Sequence, residues 1–442
     1  MNTKQCLVIL CAGLLGFYAN AQAQSKASTS GPPTEIEKLA RHGQVAMGKQ
    51  ARFTLPDTVK LEDGLSADEA VAVALWNHAP FQATLAELGI ARAALVEAGL
   101  LHNPTFSFLF PLGPKQLEFT LLAPIEALWQ RPKRIAAAER EFERISQSLV
   151  PNGLDLVRDV RLAFAEAALA ETRAALAAEQ VKERTQLLKI TNVRLRVGDI
   201  SELETSAARL DERLAEEQAA RLVQTANVTR VRLRSLMGME EDSGFALTPT
   251  AESISTTALP ELTKQALAAR PELRAAELAL EAAGARAKWE RSKIYSLTTL
   301  LDANGEGTKG FEMGPGLQFE IPLFHRNKGG ITRAEAEVER AARHYAATRQ
   351  RIVMEVQEAH ARVTQAHSAL TQWRTRVLPP IAEDIRHATR AYDTGEVAYF
   401  FVLENARRLT EARLREVDSI AELQRAAVLL ERSVGGKLNV QK

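Results

Sequence analysis

The chain has 442 residues, of which 46% are hydrophobic, 25% are charged and only 5% are aromatic, a composition typical of long solvated helices and not of a thick globular core. After the first 23 residues, which contain one Lys and no acidic residue, 55 basic residues balance 55 acidic ones. A nucleic-acid partner requires a basic excess on one face, so this balance argues against nucleic-acid binding.

The amino terminus has the pattern of a secretory signal peptide. Residues 1–23 contain a single cation at Lys4, an apolar core over 6–17, and small-residue cleavage sites that end at Ala21 and Ala23. We therefore predict that the protein is exported.

The two cysteines of the chain, Cys6 and Cys11, both fall in the signal segment. The mature chain then has no thiol for a disulfide, a metal site or a nucleophile. Lipid attachment at Cys11 is disfavoured because the preceding Leu10 is large where a small residue is expected.

Beyond the signal, no apolar run reaches the roughly 18 residues that a membrane-spanning helix needs, so any crossing of a membrane must use strands.

The first half of the mature chain begins with a helix and a hairpin. A polar, proline-containing extended segment over 24–64 leads to a helix predicted over 66–102, with Ser66 as N-cap and Glu69 in a capping-box arrangement. A hairpin is predicted over 103–128, where two β-rich runs flank a turn that contains Pro and Gly.

A long helix and a shorter return helix follow the hairpin. Apolar residues at spacings of three and four predict the long helix over 129–197. Gly198 ends it, and a return helix over 201–237 ends at Gly238. Pro151 lies inside the long helix, where the loss of a hydrogen bond predicts a kink or a local break.

The second half repeats this order at an offset of 191 to 197 residues, with Pro80 aligned to Pro271 and Gly198 to Gly395. Its elements are a helix over 260–293, a hairpin over 295–324, a long helix over 327–394 with a second predicted break at Pro379 and Pro380, and a return helix over 398–434. We therefore predict a mostly α-helical fold with a small β part, built as a duplicated helix, hairpin and helix unit. The parts are the signal peptide (1–23), the extended segment (24–64), the first repeat (65–238), a linker (239–259), the second repeat (260–436) and a tail (437–442).

Two junctions resemble those of the TolC-type outer-membrane efflux proteins. One is the strand exit over 319–330, FEIPLFHRNKGG, whose first-half counterpart lies at 123–126. The other is the turn over 392–397 followed by residues 402–404. The resemblance covers residues 65–436, and the junctions look most like those of the cobalt-zinc-cadmium branch of the family.

The resemblance implies a homotrimer in the outer membrane. Each chain would give four strands to a shared β-barrel and its helices to a long periplasmic α-helical tunnel. The implied partners are a periplasmic adaptor (membrane fusion) protein, an inner-membrane pump of the RND type and the outer-membrane lipid. The implied function is the exit duct of a tripartite efflux pump that passively conducts its substrate to the outside. The junctions favour heavy-metal cations as substrate, and drug efflux or type I secretion through the same fold stays open.

The two glycine turns fit the helix tips of this family, where the tunnel end meets the adaptor. Glycine permits the positive φ that a tight helix reversal often needs. Turn glycines without any partner are the alternative interpretation. The candidate adaptor-docking residues are Val197, Gly198 and Asp199 in the first turn and Thr394, Gly395 and Glu396 in the second.

Glu204 and Glu404 follow the two turns and are candidate constriction carboxylates. If their side chains face the axis of a trimer, they form rings that attract cations and narrow the tunnel. The helix dipole alone also favours an acidic residue in a first helical turn, so a purely structural role stays open.

The sequence predicts no catalytic, cofactor-binding or metal site and no enzyme activity. The mature chain contains no phosphate loop, no Gly-x-Ser-x-Gly turn and no His-Glu-x-x-His. His360 and His367 share a helix face, but without a cysteine or a His-x-x-x-His spacing they indicate polar surface.

A soluble periplasmic coiled-coil adaptor or scaffold is the alternative from another class. It would share the export signal and the Ala-rich helices. The duplicated hairpins favour the duct, because a scaffold has no use for two amphipathic β-insertions. The alternation of apolar and polar residues over 105–108 and 317–321 fits lipid on one face and water on the other.

Overall fold

The computed structural model of the protein describes residues 53–56, 59, 64–110, 118–239, 244–248, 257–305 and 311–436. The predicted signal peptide, most of the extended segment before residue 64, the turn of the first hairpin and the predicted tail lie outside the described residues.

The chain forms two compact units. The sheet unit contains Ala83–Val150 and Pro271–Thr348. The helical unit contains the described parts of His42–Gln82, Pro151–Arg270 and Arg349–Lys442. Each sequence repeat is therefore divided between both units.

Both repeats contain short helices, a hairpin, a long helix, a turn and a return helix. The first repeat contains α1 (Ala67–Asn77), α2 (Ala79–Leu85), α3 (Glu87–Gly99), β1 (Thr105–Leu109), β2 (Glu118–Pro124), α4 (Ala127–Arg196) and α5 (Glu202–Met237). The second contains α6 (Leu259–Ala269), α7 (Pro271–Ser292), β3 (Leu297–Gly305), β4 (Phe311–Phe319), α8 (Lys328–Gln372), a π-helical turn (Trp373–Val377), α9 (Leu378–Asp393) and α10 (Tyr399–Val434). Among the described residues, none of these helices is apolar over the length that a membrane crossing requires.

The single helix predicted over 66–102 is wrong, because three helices occupy this region. The predicted capping box at its start is confirmed. The Ser66 hydroxyl accepts a hydrogen bond from the Glu69 N–H, and the Glu69 carboxylate accepts one from the Ser66 N–H at 2.9 Å.

Helix α1 ends because of Pro80. A proline has no N–H to bond the carbonyl four residues back, so it fits only the first turn of a helix. His78 is extended, with a ψ of 104°, and α2 starts at the next residue. The Gln82 side-chain amide donates to the Leu75 and Trp76 carbonyls at 3.1 and 3.3 Å, which supplies donors to the last turn of α1.

The same break occurs at the equivalent point of the second repeat. The single helix predicted over 260–293 is wrong, since it divides into α6 and α7. Arg270, directly before Pro271, has an extended ψ of 121°, because the proline ring disfavours the helical region for its predecessor.

The prolines inside the long helices have different effects. Helix α4 runs through Pro151 as one helix of 70 residues, so the predicted local break is absent there. Leu149 and Leu156 on either side are buried, and such burial offsets the loss of one hydrogen bond. In the second repeat the predicted break is confirmed, because the π-helical turn directly precedes Pro379 and Pro380 in the first turn of α9.

Four strands form one antiparallel sheet in the order β1-β2-β3-β4. The two predicted hairpins are joined, because β2 pairs with β3 and places Leu121 opposite Leu301. Across the same pair, the Thr120 hydroxyl donates to the Asp302 carboxylate at 3.0 Å. One sheet is thus shared by both repeats.

The two faces of this sheet differ in polarity. Opposed residues, and alternate residues along a strand, share a face. One face includes Phe106, Phe108, Phe119, Leu121, Leu301, Met313, Leu317 and Phe319. The other includes Thr105, Ser107, Glu118, Thr120, Asp302, Glu312 and Gln318, together with Leu109, Leu122 and Leu300. The predicted alternation therefore extends over all four strands.

Buried residues of the helical unit recur at alternating spacings of three and four. In α4 they include Leu156, Val160, Ala163, Ala167 and Ala170. In α8 they include Ile352, Val356, Ala359, Val363, Ala366 and Leu370. This spacing, with alanine at many buried positions, is typical of long helices packed closely side by side.

Candidate functional site at the helix tips

The first glycine turn closes the end of α4. Gly198 has a φ of +77°, a conformation that residues with a side chain rarely adopt. Its N–H donates to the Leu195 carbonyl at 3.0 Å, and the Asp199 N–H donates to the Arg194 carbonyl at 3.0 Å. These two bonds form a Schellman motif, which satisfies the last carbonyls of the helix.

The second glycine turn repeats this geometry at the end of α9. Gly395 has a φ of +79°, its N–H donates to the Tyr392 carbonyl at 3.1 Å, and the Glu396 N–H donates to the Ala391 carbonyl at 2.8 Å. The Thr394 hydroxyl adds a bond to the Ala391 carbonyl at 3.1 Å. The duplication seen in the sequence is therefore reproduced bond for bond at the two turns.

The structure brings the two turns together. A buried cluster joins residues from three of the helices that meet at the turns: Ala208 of α5, Tyr392 of α9, and Val402 and Leu403 of α10. Partly buried residues that pack against this cluster are Leu187, Leu188, Ile385 and Val397. The two glycine turns and the helix ends beside them, which we call the helix tips, thus share one small core.

A polar link reinforces the shared core. The Arg194 guanidinium lies 4.0 Å from the centre of the Tyr392 ring, and it donates to the Tyr392 carbonyl at 3.2 Å. Its Nε lies 3.7 Å from Asp199 Oδ2. Burial raises the pKa of the Tyr392 hydroxyl, and the Arg194 charge opposes this rise. Tyr392 begins the turn motif over 392–397, but its contact with Arg194, from the other repeat, was not predicted from the sequence.

The two constriction carboxylates lie at the start of the return helices. Glu204 is half-buried in the first turn of α5, where its N–H donates to the Ser201 hydroxyl at 3.3 Å. Glu404 is half-buried in α10, and its carboxylate pairs with Arg408 at 3.1 Å. Their role at a trimer axis stays a prediction.

A second ionic link, not predicted from the sequence, joins α5 to α10. Asp211 is 9% exposed and accepts from the Arg407 guanidinium at 2.5 Å. The pair lies one to two turns beyond Glu204 and Glu404. No local signal marks it, because the two residues are 196 positions apart.

All six predicted docking residues are exposed, and their docking role stays a prediction. Large apolar side chains lie among them, since Val197 is 75% exposed, Leu203 80% and Phe400 64%. Asp199 and Glu396 add exposed carboxylates beside these residues. The tips therefore present an apolar surface with acidic neighbours.

His360 is half-buried and His367 is exposed on α8. Within the described ranges, no group of three or more His, Cys, Asp and Glu side chains has the arrangement of a metal site.

Comparison with known proteins identifies the class. Residues 262–436, which include the second strand exit and the second helix tip, match the family described as Outer membrane efflux protein. This match covers most of the second repeat, and the chain as a whole is similar to outer-membrane efflux proteins. The resemblance read from its junctions is thereby confirmed.

Individual relatives cover most of the chain. It is 24% identical over 376 residues to the cobalt-zinc-cadmium resistance protein CzcC of Cupriavidus metallidurans, a match that spans 84% of this chain and 90% of the relative. Its structure is similar to that of the channel protein CusC, with a TM-score of 0.71 and 18% identity, covering 87% of this chain and 96% of CusC. The open state of the MtrE outer membrane channel of Neisseria gonorrhoeae gives a TM-score of 0.68 at 17% identity, covering 85% of this chain and 91% of MtrE. The predicted TolC-type fold is confirmed.

Proposed function

We propose that this efflux channel is the passive exit duct of a tripartite pump for heavy-metal cations. It would act as a homotrimer in the outer membrane, with a periplasmic adaptor and an RND-type inner-membrane pump as partners. Energy would come from the pump, so the duct itself needs no catalytic residue.

The amphipathic sheet carries this proposal. On its apolar face, the side chains of Phe106, Leu317 and Phe319 are exposed in the single chain. Such a patch is costly in water and favourable against lipid. Thr120 and Asp302, on the other face, suit an aqueous interior. A soluble adaptor or scaffold, the alternative class, gains nothing from this division.

Two observations favour metal cations as the substrate. CzcC is named for resistance to cobalt, zinc and cadmium, and it is similar to this chain over most of its length. The helix tips carry Asp199, Glu396, Glu204 and Glu404, whose carboxylates attract cations. Drugs or secreted proteins are the competing substrates.

We expect the purified oligomer to form cation-preferring channels in planar lipid bilayers. The double variant Glu204→Gln/Glu404→Gln should lower the cation-to-anion permeability ratio several-fold, because it removes the proposed rings of charge. As a matched control, Glu217→Gln/Glu411→Gln removes two exposed carboxylates from the same two helices and should leave the ratio unchanged. A protein that shows no conductance, or is recovered only as a soluble periplasmic species, contradicts the duct.

The helix tips are the proposed adaptor-docking surface. Their exposed Val197, Leu203 and Phe400 can be buried by a partner, and the two Schellman turns hold them in fixed positions. The symmetry of the turns fits a partner that contacts both repeats in a similar way.

Valine at both tip glycines should abolish metal resistance while leaving the outer-membrane trimer intact. Gly198→Val/Gly395→Val places β-branched residues at φ values near +78°, which strains both turns, although the added Cβ atoms meet no neighbouring atom within 4 Å. Resistance would be measured as growth on zinc, cobalt and cadmium in a strain that lacks its own duct.

The matched control for the tip variant is Gly89→Val/Gly284→Val. These glycines also lie one in each repeat and have open space around an added Cβ, but they lie in helices with ordinary φ. Resistance that survives the tip variant would show that the tips are not the docking surface.

A further inference from the structure

The helices join the sheet at one of its two ends. Strand β2 ends at Pro124 and β4 at Phe319, and these residues pair with Thr298 and Leu297 at the start of β3. The segment that leaves β4, residues 320–327, and Lys328 at the start of α8 therefore lie at this helix-side end, as do the residues that directly precede β3 and follow β2.

This end is rich in exposed apolar side chains. In the segment that leaves β4, Ile321 and Leu323 are each 65% exposed and Phe324 is 100% exposed. Tyr295, just before β3, is 66% exposed, and Trp129, just after β2, is 36% exposed. Aromatic side chains grouped at one end of an amphipathic sheet are typical of a membrane–water interface.

Cations follow directly on the apolar residues. His325, Arg326 and Lys328 come within four positions of Phe324, and all three are exposed, whereas Asn327 between them is half-buried. The apolar part and the basic part of the segment are thus adjacent along a short stretch of chain. This arrangement matches a phospholipid, in which apolar acyl chains adjoin a charged headgroup.

The segment is held in a defined shape. Asn327 has a φ of +50°, and its side-chain amide donates to the Glu290 carbonyl and carboxylate, both at 2.9 Å. Arg326 Nε donates to the Pro322 carbonyl at 3.0 Å. Burial of Glu290 opposes its ionisation, but the hydrogen bonds from Lys293 and Asn327 hold the pKa of its carboxyl below the usual value. These hydrogen bonds hold Phe324, Arg326 and Lys328 in fixed positions relative to one another.

We propose that residues 321–328 form a lipid-anchoring segment that binds the phosphate headgroups of anionic phospholipids. Leu323 and Phe324 enter the acyl layer, and Arg326 and Lys328 contact the phosphate. A protein partner is less well matched, because the apolar surface is continuous with the apolar face of the sheet and shares its end with Tyr295 and Trp129. The inference rests on the proposed function, since it requires the sheet to lie in the membrane.

The test is native mass spectrometry of the detergent-purified full chain titrated with phosphatidylglycerol or phosphatidylcholine. We expect the wild type to retain phosphatidylglycerol preferentially. Arg326→Gln/Lys328→Gln should weaken this binding by about 30-fold, from the attraction of two cations near a lipid surface. Because Arg326 also braces the turn, Lys328→Gln alone is measured too and should weaken binding by about fivefold.

Matched controls test whether lipid retention depends on this segment or on cationic and apolar side chains anywhere on the surface. Arg333→Gln/Arg340→Gln removes two exposed cations further along α8 and should leave lipid retention unchanged. Phe324→Ser should reduce retention of both lipids, whereas Phe400→Ser, at a helix tip, should not. Equal retention of both lipids by the wild type, or equal effects of the two arginine-containing double variants, would overturn the inference.

Channel recording on the same preparation distinguishes this inference from the proposed function. Conductance with no lipid preference supports the duct and contradicts the proposed lipid-anchoring segment. Lipid preference without conductance supports membrane anchoring and contradicts the duct.

Discussion

Replacement of Tyr392 by alanine is expected to open the helix tips while the rest of the chain stays folded. Tyr392 is 4% exposed, packs with Val402 and Leu403, and lies against the Arg194 guanidinium. Loss of a buried aromatic side chain costs about 3–5 kcal/mol. Here the cost falls on the ends of helices, where local opening requires less free energy than global unfolding.

Amide hydrogen exchange of residues 185–208 and 385–405 would measure this opening. A loss of about 3 kcal/mol corresponds to roughly a hundredfold fall in protection, because 1.4 kcal/mol is a factor of ten. Tyr392→Phe is the matched control, since it keeps the packing and the ring beneath Arg194 and removes only the hydroxyl. It should retain protection to within about tenfold. Unchanged protection in the alanine variant would mean that the cluster does not hold the tips together.

Replacement of Glu355 by alanine is expected to destabilise the helical unit by about 3 kcal/mol. The Arg270 guanidinium contacts the Glu355 carboxylate and donates to the Ser433 carbonyl at 3.5 Å, so it joins the end of α6 to α8 and α10. Arg270 is 5% exposed. Removing the anion that faces a buried cation is strongly destabilising, because the remaining charge is poorly solvated.

Glu358→Ala is the matched control on the same helix. Glu358 pairs with Arg362 at 2.6 Å, but both side chains are exposed, so its loss should change the free energy of unfolding by about 0.5 kcal/mol or less. Urea unfolding of the purified chain, followed by far-ultraviolet circular dichroism, compares the two variants. Equal midpoints for both would show that burial of Arg270 does not set the strength of its ion pair.

Features with a local cause were predictable from the sequence. The Ser66 capping box, the glycine turns at Gly198 and Gly395, and the alternation along β1 and β4 each depend on a few neighbouring residues. The order of elements followed from the same short-range patterns, and the duplication allowed each half to support the other.

Most of the errors in the helix boundaries arose at prolines. Pro80 and Pro271 were aligned as equivalent, yet each lies in the first turn of a new helix and so marks a division of the one that was predicted. Pro151 shows the opposite outcome, since α4 continues through it. Tertiary burial decides between these outcomes, and no local pattern reports it.

The contacts within the site could not be predicted. Arg194 and Tyr392 are 198 positions apart, and Asp211 and Arg407 are 196 apart. Both links depend on how helix pairs from the two repeats pack against each other. Neither periodicity nor spacing in the sequence encodes this packing. The offset of the repeats indicates which regions correspond, but it does not say which side chains meet.

The pairing of β2 with β3 has a consequence for the biogenesis of the chain. Thr120 and Asp302, which bond across this pair, are 182 residues apart, so the first hairpin is exported long before its neighbour is available. Until then the open edge of β2 can pair with any other extended chain. Such distant pairing is slow, because a long loop must close before the new contacts form. We therefore expect completion of the sheet to be a late step of folding, and a chain stalled after its first repeat to be prone to aggregation.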